Sequence, residues 1–334
     1  MLNQFISTAQ AGRLIESGAV LFVAGSGQAL ASLPKGRWIG GSTPYFMTPD
    51  GGMVDHEHVF CTVVEGAQDM RIAVVREDDL QAIVRDRLPS GFSYVLIPAF
   101  TGVHKRFALE APGLPKLYEQ PLVGWVTGVE LTELGKVRPS VVDGATGQIH
   151  EDAGLVMHVG LSQNVFAEAD IVNLFTQGSG PDIVFPETGF SASQCEVGGK
   201  RVDFASWLRE QEVDTSLPLV SSYAGAMINV SFQALLPDQV EFYAPVVAGR
   251  VYRLAAPVGD YAEAYGSYCT GLHAQGAGNA LSFNCILNYQ YAALQGRTTG
   301  GFIGPVTFGE IAYILLNQTL VRLDLSSAQL GAAA

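Results

Sequence analysis

Near the C-terminal end, a few polar side chains sit inside apolar runs. Cys285 closes Leu281-Ser282-Phe283-Asn284, Thr307 and Glu310 flank Phe308-Gly309, and Asn317 follows Ile314-Leu315-Leu316. Burying such groups without partners costs about 1–3 kcal/mol each, so they must either bond to one another or meet a ligand. Both readings stay open for Thr307, Glu310 and Asn317. The glycine before Glu310 permits a close backbone approach or a positive-φ turn, which would let the acid project from a strand end. A carboxylate held there could accept backbone N–H groups or the ammonium of an amino-acid-like ligand. Cys285 is a weak catalytic candidate. A cysteine nucleophile needs an orienting base, and His56, His58, His104, His150, His158 and His273 are all distant from it in sequence. The four cysteines, Cys61, Cys195, Cys269 and Cys285, form no CxxC, so each reads first as a small buried hydrophobe.

Other constellations carry less. Gly25-Ser26-Gly27-Gln28-Ala29-Leu30-Ala31 lacks the third glycine of a dinucleotide fingerprint and any Walker lysine, and reads as a tight strand-to-helix turn. No Gly-x-Ser-x-Gly elbow occurs. His56-Glu57-His58 has metal-like composition, but residues two apart share a face only on a strand, and no third ligand is near in sequence, so no metal site is expected.

The elements that must position these groups alternate in type. Ala11, Leu14 and Ile15 repeat at helical spacing within Thr8–Ser17, and Gly18 is a natural stop. Val20–Val23 and Trp38–Gly41 read as strands. Val59–Val64 and Arg71–Val75, separated by Glu65-Gly66-Ala67-Gln68-Asp69, have the spacing of a hairpin. Asp78–Leu88 carries Leu80, Ile83, Val84 and Leu88 on one helical face, and Phe92–Ile97 is the next strand. Later strands are expected at 183–185, 217–220, 227–232, 240–243, 251–254, 280–285 and 318–323. Tyr261–His273 is the clearest later helix. The small-residue tail Gly331–Ala334 should fray.

A chain of 334 residues with 48% hydrophobic and 15% charged residues can build a large core. Its net charge of −13 argues against nucleic acid and anionic membranes as partners. The longest apolar runs have strand length, and the N-terminus lacks a basic, then apolar, leader, so a cytoplasmic protein is expected.

The C-terminal blocks occur in a fixed order: Leu281-Ser282-Phe283-Asn284-Cys285, Thr299-Gly300-Gly301-Phe302, Val306-Thr307-Phe308-Gly309-Glu310-Ile311 and Leu316-Asn317-Gln318-Thr319-Leu320. This order resembles the C-terminal domain of the FIST family, with its strand ending in Phe-Ser-Cys, its Gly-Phe-x-Thr-Tyr-Gly-Glu-Ile block and its closing His-Asn-x-Thr strand. Ile39-Gly40-Gly41-Ser42-Thr43 is similar to the Gly-Cys-Ser-Thr turn of the N-terminal FIST domain. The resemblance implies an N-terminal domain over residues 1–180 and a C-terminal domain over 181–330. The expected fold is mixed α/β, with two halves whose central, largely antiparallel or mixed sheets are flanked by helices and which bind a ligand between them. It also implies an intracellular sensory protein for amino-acid-like small molecules, acting alone or through a separate signalling protein. Ser42, Thr43, Tyr45, Asn284, Cys285, Thr307, Glu310 and Asn317 are then the ligand-binding candidates. No cofactor is expected. A haem-binding gas sensor and a cysteine-dependent enzyme using Cys285 are the alternatives. Two departures bear on the ligand: Ile286-Leu287-Asn288 stands where the family often has Gly-Arg, and Pro44-Tyr45-Phe46 replaces a small, acidic continuation.

Overall fold

The computed structural model describes residues 1–223, 226–273, 280–299 and 301–327. The tail Gly331–Ala334 and Gly300 of the C-terminal blocks lie outside the described residues. Ser7 caps the first helix, Thr8–Glu16, through its hydroxyl, while the side chain of Gln10 returns to the Ser7 backbone. Strand Leu21–Gly25 then runs into a short helix, Gly27–Ala31, capped by Ser26, and returns as the parallel strand Trp38–Ser42. The glycine cluster 25–27 is thus a strand-to-helix turn.

Two six-stranded sheets form the centre. One orders Leu2–Ser7, His58–Val63, Leu21–Gly25, Trp38–Ser42, Val141–Asp143 and Gln148–His150. The other orders Ile314–Leu316, Glu310–Ala312, Leu122–Thr127, Gly91–Pro98, Gly154–Gly160 and Asp69–Val75. They share one apolar core in which Phe22 stacks on Tyr94 at 3.9 Å between ring centroids. The Trp125 ring lies against Gly41, where a Cβ would collide with it, so the close approach of the sheets requires glycine there.

A third six-stranded sheet orders Val165–Val172, Leu320–Ser327, Leu281–Cys285, Gly304–Thr307, Tyr45–Thr48 and Gly51–Val54. The segment Ile183–Leu254 contributes strands to a fourth six-stranded sheet and, with Gly189–Ala192, Phe232–Leu235 and Val240–Val246, builds a small three-stranded one. These enclose a separate core around Phe185, Phe204 and Phe242.

The architecture is mixed α/β but dominated by strands, 27 against six α-helices among the described residues. The two central sheets face each other across the shared core, and their outer faces are covered in part by helices, Thr8–Glu16 and Gly27–Ala31 on one and Gly102–Glu110 on the other, so the expected mixed α/β class holds while strands outweigh the flanking helices. The expected hairpin is absent. His58–Val63 pairs with Leu2–Ser7 and Leu21–Gly25, whereas Asp69–Val75 pairs with Gly154–Gly160 in the other central sheet. The helix expected over Asp78–Leu88 reduces to a 3-10 turn at Leu80–Ile83. Arg85 forks back onto Asp79 and Asp86 adopts φ +59°, which stops propagation, although Leu80, Ile83 and Leu88 are buried as their spacing implied. Helix Tyr261–His273 forms over the expected span. No helix among the described residues is long and apolar enough to cross a membrane.

The last third of the chain completes sheets begun in the first half: Gly304–Thr307 pairs with Tyr45–Thr48, and Glu310–Ala312 with Leu122–Thr127. Separate expression of residues 1–180 and 181–334 is therefore expected to give two insoluble fragments, since each would expose an apolar sheet face and unpaired strand edges. Two soluble fragments, each melting in its own cooperative transition by calorimetry, would contradict this.

Candidate functional site

Parallel pairing sets Cys285 beside Thr307 where strands Leu281–Cys285 and Gly304–Thr307 end. The chain then leaves the third sheet through Phe308-Gly309 and enters the central sheet at Glu310. Gly309 has φ +152°, and a Cβ there would press on Leu315. Cys285 N–H donates to the carbonyl of Thr319 at 3.1 Å, which brings the closing strand alongside.

Glu310 is fully buried at this junction. Its Oε1 lies 3.0 Å from Thr307 Oγ1, and its Oε2 accepts from Thr319 Oγ1 at 2.8 Å and Thr319 N–H at 3.3 Å. The Cys285 thiol is a weaker donor to the same carboxyl. Burial pushes this acid up to about 8, the donors pulling the other way, so it is mostly protonated at neutral pH, with the proton on Oε1 donated to Thr307 Oγ1, whose own hydroxyl then turns to the Asn284 carbonyl at 3.2 Å. The Cys285 thiol is driven well above its ordinary value, first by burial and then by Glu310, so it stays a thiol.

Cys285 also faces outward, onto a cavity of about 440 Å3. Its wall draws on Phe100, His104 and Lys105, on Leu131 and Leu134, on Phe190, Gln233, Phe242 and Tyr243, and on the C-terminal residues Cys285, Gln290, Phe308 and Asn317. Helix Gly102–Glu110, capped by Thr101, presents His104. Burial pulls this imidazole down to about 4, so it is neutral. The backbone N–H of Phe100 donates to its Nδ1 at 3.4 Å, which leaves the ring proton on Nε2, and Nε2 has no partner among the described residues. Asn317 is 2% exposed. Its Oδ1 accepts from the backbone N–H of Ser231 at 2.9 Å, which fixes the amide orientation, and its Nδ2 has no partner among the described residues. Phe100 itself is 63% exposed at φ +64°, a strained conformation for a bulky residue at the rim.

Among the eight binding candidates, Cys285 and Asn317 reach the cavity wall, with Thr307 and Glu310 directly behind Cys285. Asn284 is turned away, its Oδ1 accepting from Tyr265 Oη at 2.8 Å and Asn288 Nδ2 at 2.9 Å. Ser42, Thr43 and Tyr45 lie apart from the cavity. Ser42 Oγ donates to Gly128 O at 2.8 Å, Thr43 Oγ1 to Val306 O at 2.7 Å, and Tyr45 Oη accepts from Leu131 N–H at 3.0 Å. The two histidines of the 56–58 cluster part company: His56 Nε2 meets Glu130 and His58 Nδ1 meets Asp55, each at 3.0 Å. Phe100, Lys105 and Tyr243 escaped sequence reasoning and His104 entered it only as a histidine distant from Cys285, because no motif marks the short link between strand Gly91–Pro98 and helix Gly102–Glu110.

Residues 6–326, nearly the whole chain, match the model of a family described as a family of unknown function, DUF6976. No curated protein matches the chain.

The buried acid gives a pH-dependent stability of known sign. An unfolded glutamate titrates near 4.5 and the folded one near 8. Between those values the folded chain holds the extra proton, so stability falls as pH rises through that window, by at most about 1.4 kcal/mol per unit from this group. Glu310→Gln mimics the protonated acid. Urea denaturation should find the variant close to wild type at pH 5 and the more stable of the two at pH 8.5. A wild-type-minus-variant difference that does not move with pH would overturn this.

Proposed function

The chain belongs to the family of unknown function DUF6976, and we propose that it works as a small-molecule-binding protein of the FIST kind, passing occupancy to a separate signalling partner in the cytoplasm. One observation carries the reading: Cys285 and Asn317, from the very blocks that resemble FIST, line a 440 Å3 cavity together with Phe100, Phe190, Phe242, Tyr243 and Phe308. A preformed apolar cavity of this size with few polar groups is the usual form of a small-ligand site. The resemblance makes the ligand amino-acid-like.

The geometry favours binding over the two alternatives. A nucleophilic Cys285 would need a base, but Glu310 is mostly protonated and His104 keeps its proton on the unpartnered Nε2. Slow alkylation of Cys285 that speeds up only in denaturant is the corresponding result. An axial haem histidine needs an Nδ1–H donor and a bare Nε2. At His104 the backbone N–H of Phe100 imposes the opposite tautomer, so this residue does not fit that role.

A thermal-shift screen of the intact protein against amino acids, nucleotides and small carboxylates tests the reading. At about 100 times its Kd a ligand adds about 2.7 kcal/mol to the folded state, a readily measured rise in melting temperature. Phe100→Gly should then weaken the selected ligand several-fold while changing stability by less than about 1 kcal/mol, because relief of the positive φ offsets the added chain entropy. Absence of any stabilising compound would sink the binding reading, and unchanged affinity in Phe100→Gly would remove the rim residue from it.

A further inference from the structure

Two residues of the cavity lining, Asn317 and His104, carry shielded polar atoms without partners among the described residues, and both atoms are donors; the exposed amides of Gln233 and Gln290, also in the lining, offer a donor and an acceptor each. Asn317 Nδ2 and His104 Nε2–H are buried and lack acceptors among the described residues. Each such group costs free energy in the empty protein that an incoming acceptor would recover. The exposed Lys105 adds a cation to the wall, and no aspartate or glutamate among the described residues lines the cavity. Glu310, the nearest acid, stands behind Cys285 with both oxygens occupied by Thr307 and Thr319. Asn317 Oδ1 is likewise held by Ser231. An ammonium entering here would be desolvated with no anionic partner, the most expensive arrangement for a charge. A carboxylate would meet unpartnered donors and a lysine. The rings of Phe100, Phe190, Phe242 and Phe308 suit an apolar, ring-bearing body.

Resting on the binding reading above, we infer that the cavity takes a carboxylate with an apolar, ring-bearing body and no free amino group. The ligand is thus a deaminated or N-blocked relative of an aromatic amino acid in chemical class, its acid group directed at Asn317, His104 and Lys105.

Calorimetric titration of the intact protein with 3-phenylpropionate, phenylalanine and phenethylamine separates the cases. The expected order is 3-phenylpropionate, then phenylalanine at least about tenfold weaker, with phenethylamine not binding, since loss of a charge-assisted bond or gain of an unpaired charge is worth roughly that factor. Asn317→Asp keeps an oxygen for the Ser231 N–H and replaces the free donor by an acceptor. It should weaken 3-phenylpropionate at least about tenfold. Lys105→Gln, on an exposed residue outside the core, should weaken it a few-fold and flatten its salt dependence, which keeps the test open if Asn317→Asp fails to fold. Phenylalanine or phenethylamine binding as tightly as 3-phenylpropionate overturns the inference, as does no saturable binding of 3-phenylpropionate up to about 10 mM. So does a Lys105→Gln protein with wild-type affinity. Amino acids stabilising the protein more than carboxylates without an amino group in the thermal screen would leave the binding reading standing while this inference fails. An inactive screen removes both.

Discussion

One buried carboxyl group holds the junction on which the cavity depends. Glu310 is where the chain passes from the third sheet into the central sheet, and its two oxygens gather Thr307 from one strand and Thr319 from the approach to another. The Thr319 N–H at this point would be an orphaned buried donor without the acid. Because Cys285 bonds back to the Thr319 carbonyl and lies against Glu310, the position of the cavity floor follows from the same few hydrogen bonds. Keeping the group protonated avoids a bare charge in the core, at the expense of stability wherever solvent would prefer to remove that proton.

Around this junction the sheets are interleaved rather than stacked as two independent halves. Leu281–Ser327 threads back between Tyr45–Thr48 and Leu122–Thr127, so cavity walls that are about 200 residues apart in sequence are fixed by shared strand pairing. Rigid walls allow donors such as Asn317 Nδ2 and His104 Nε2 to stay unpaired instead of rotating to protein partners, since Ser231 and Phe100 clamp their other ends. The φ +64° at Phe100 belongs to the same pattern, a local cost sustained by a well-determined frame at the edge of a site.

The parts legible from sequence were those specified locally. The helix at Thr8–Glu16 has a capping box and a clean apolar stripe, and Ser26 caps the turn that the glycines allow. The ordering of polar residues in the C-terminal blocks also survives, since Thr307, Glu310 and Cys285 do meet. What failed was long-range. His58–Val63 and Asp69–Val75 look like hairpin arms, but their strongest partners, Leu21–Gly25 and Gly154–Gly160, come from elsewhere, and a short polar loop does not encode that choice. The apolar spacing of Leu80, Ile83 and Leu88 fits a helix and equally a buried turn, and the decision fell to an Arg85–Asp79 pair that periodicity ignores. Half of the cavity wall was invisible because nothing local distinguishes Tyr243 or Phe190 from ordinary core aromatics.

The placement of Glu310 also changes what the C-terminal blocks can be said to encode. A carboxylate offered to a ligand would have selected for an ammonium, and the resemblance points that way. Set one layer behind Cys285 with its oxygens filled, it selects for nothing directly and instead fixes backbone. On the proposed binding reading, selectivity would fall to Asn317, the block residue whose amide N–H is unpartnered among the described residues, and to His104, Lys105 and Phe100, which come from a different part of the chain. Chains sharing the blocks would share the junction, yet could differ in ligand wherever the 99–105 segment differs, because that segment supplies the unpaired imidazole, the cation and the strained ring at the rim.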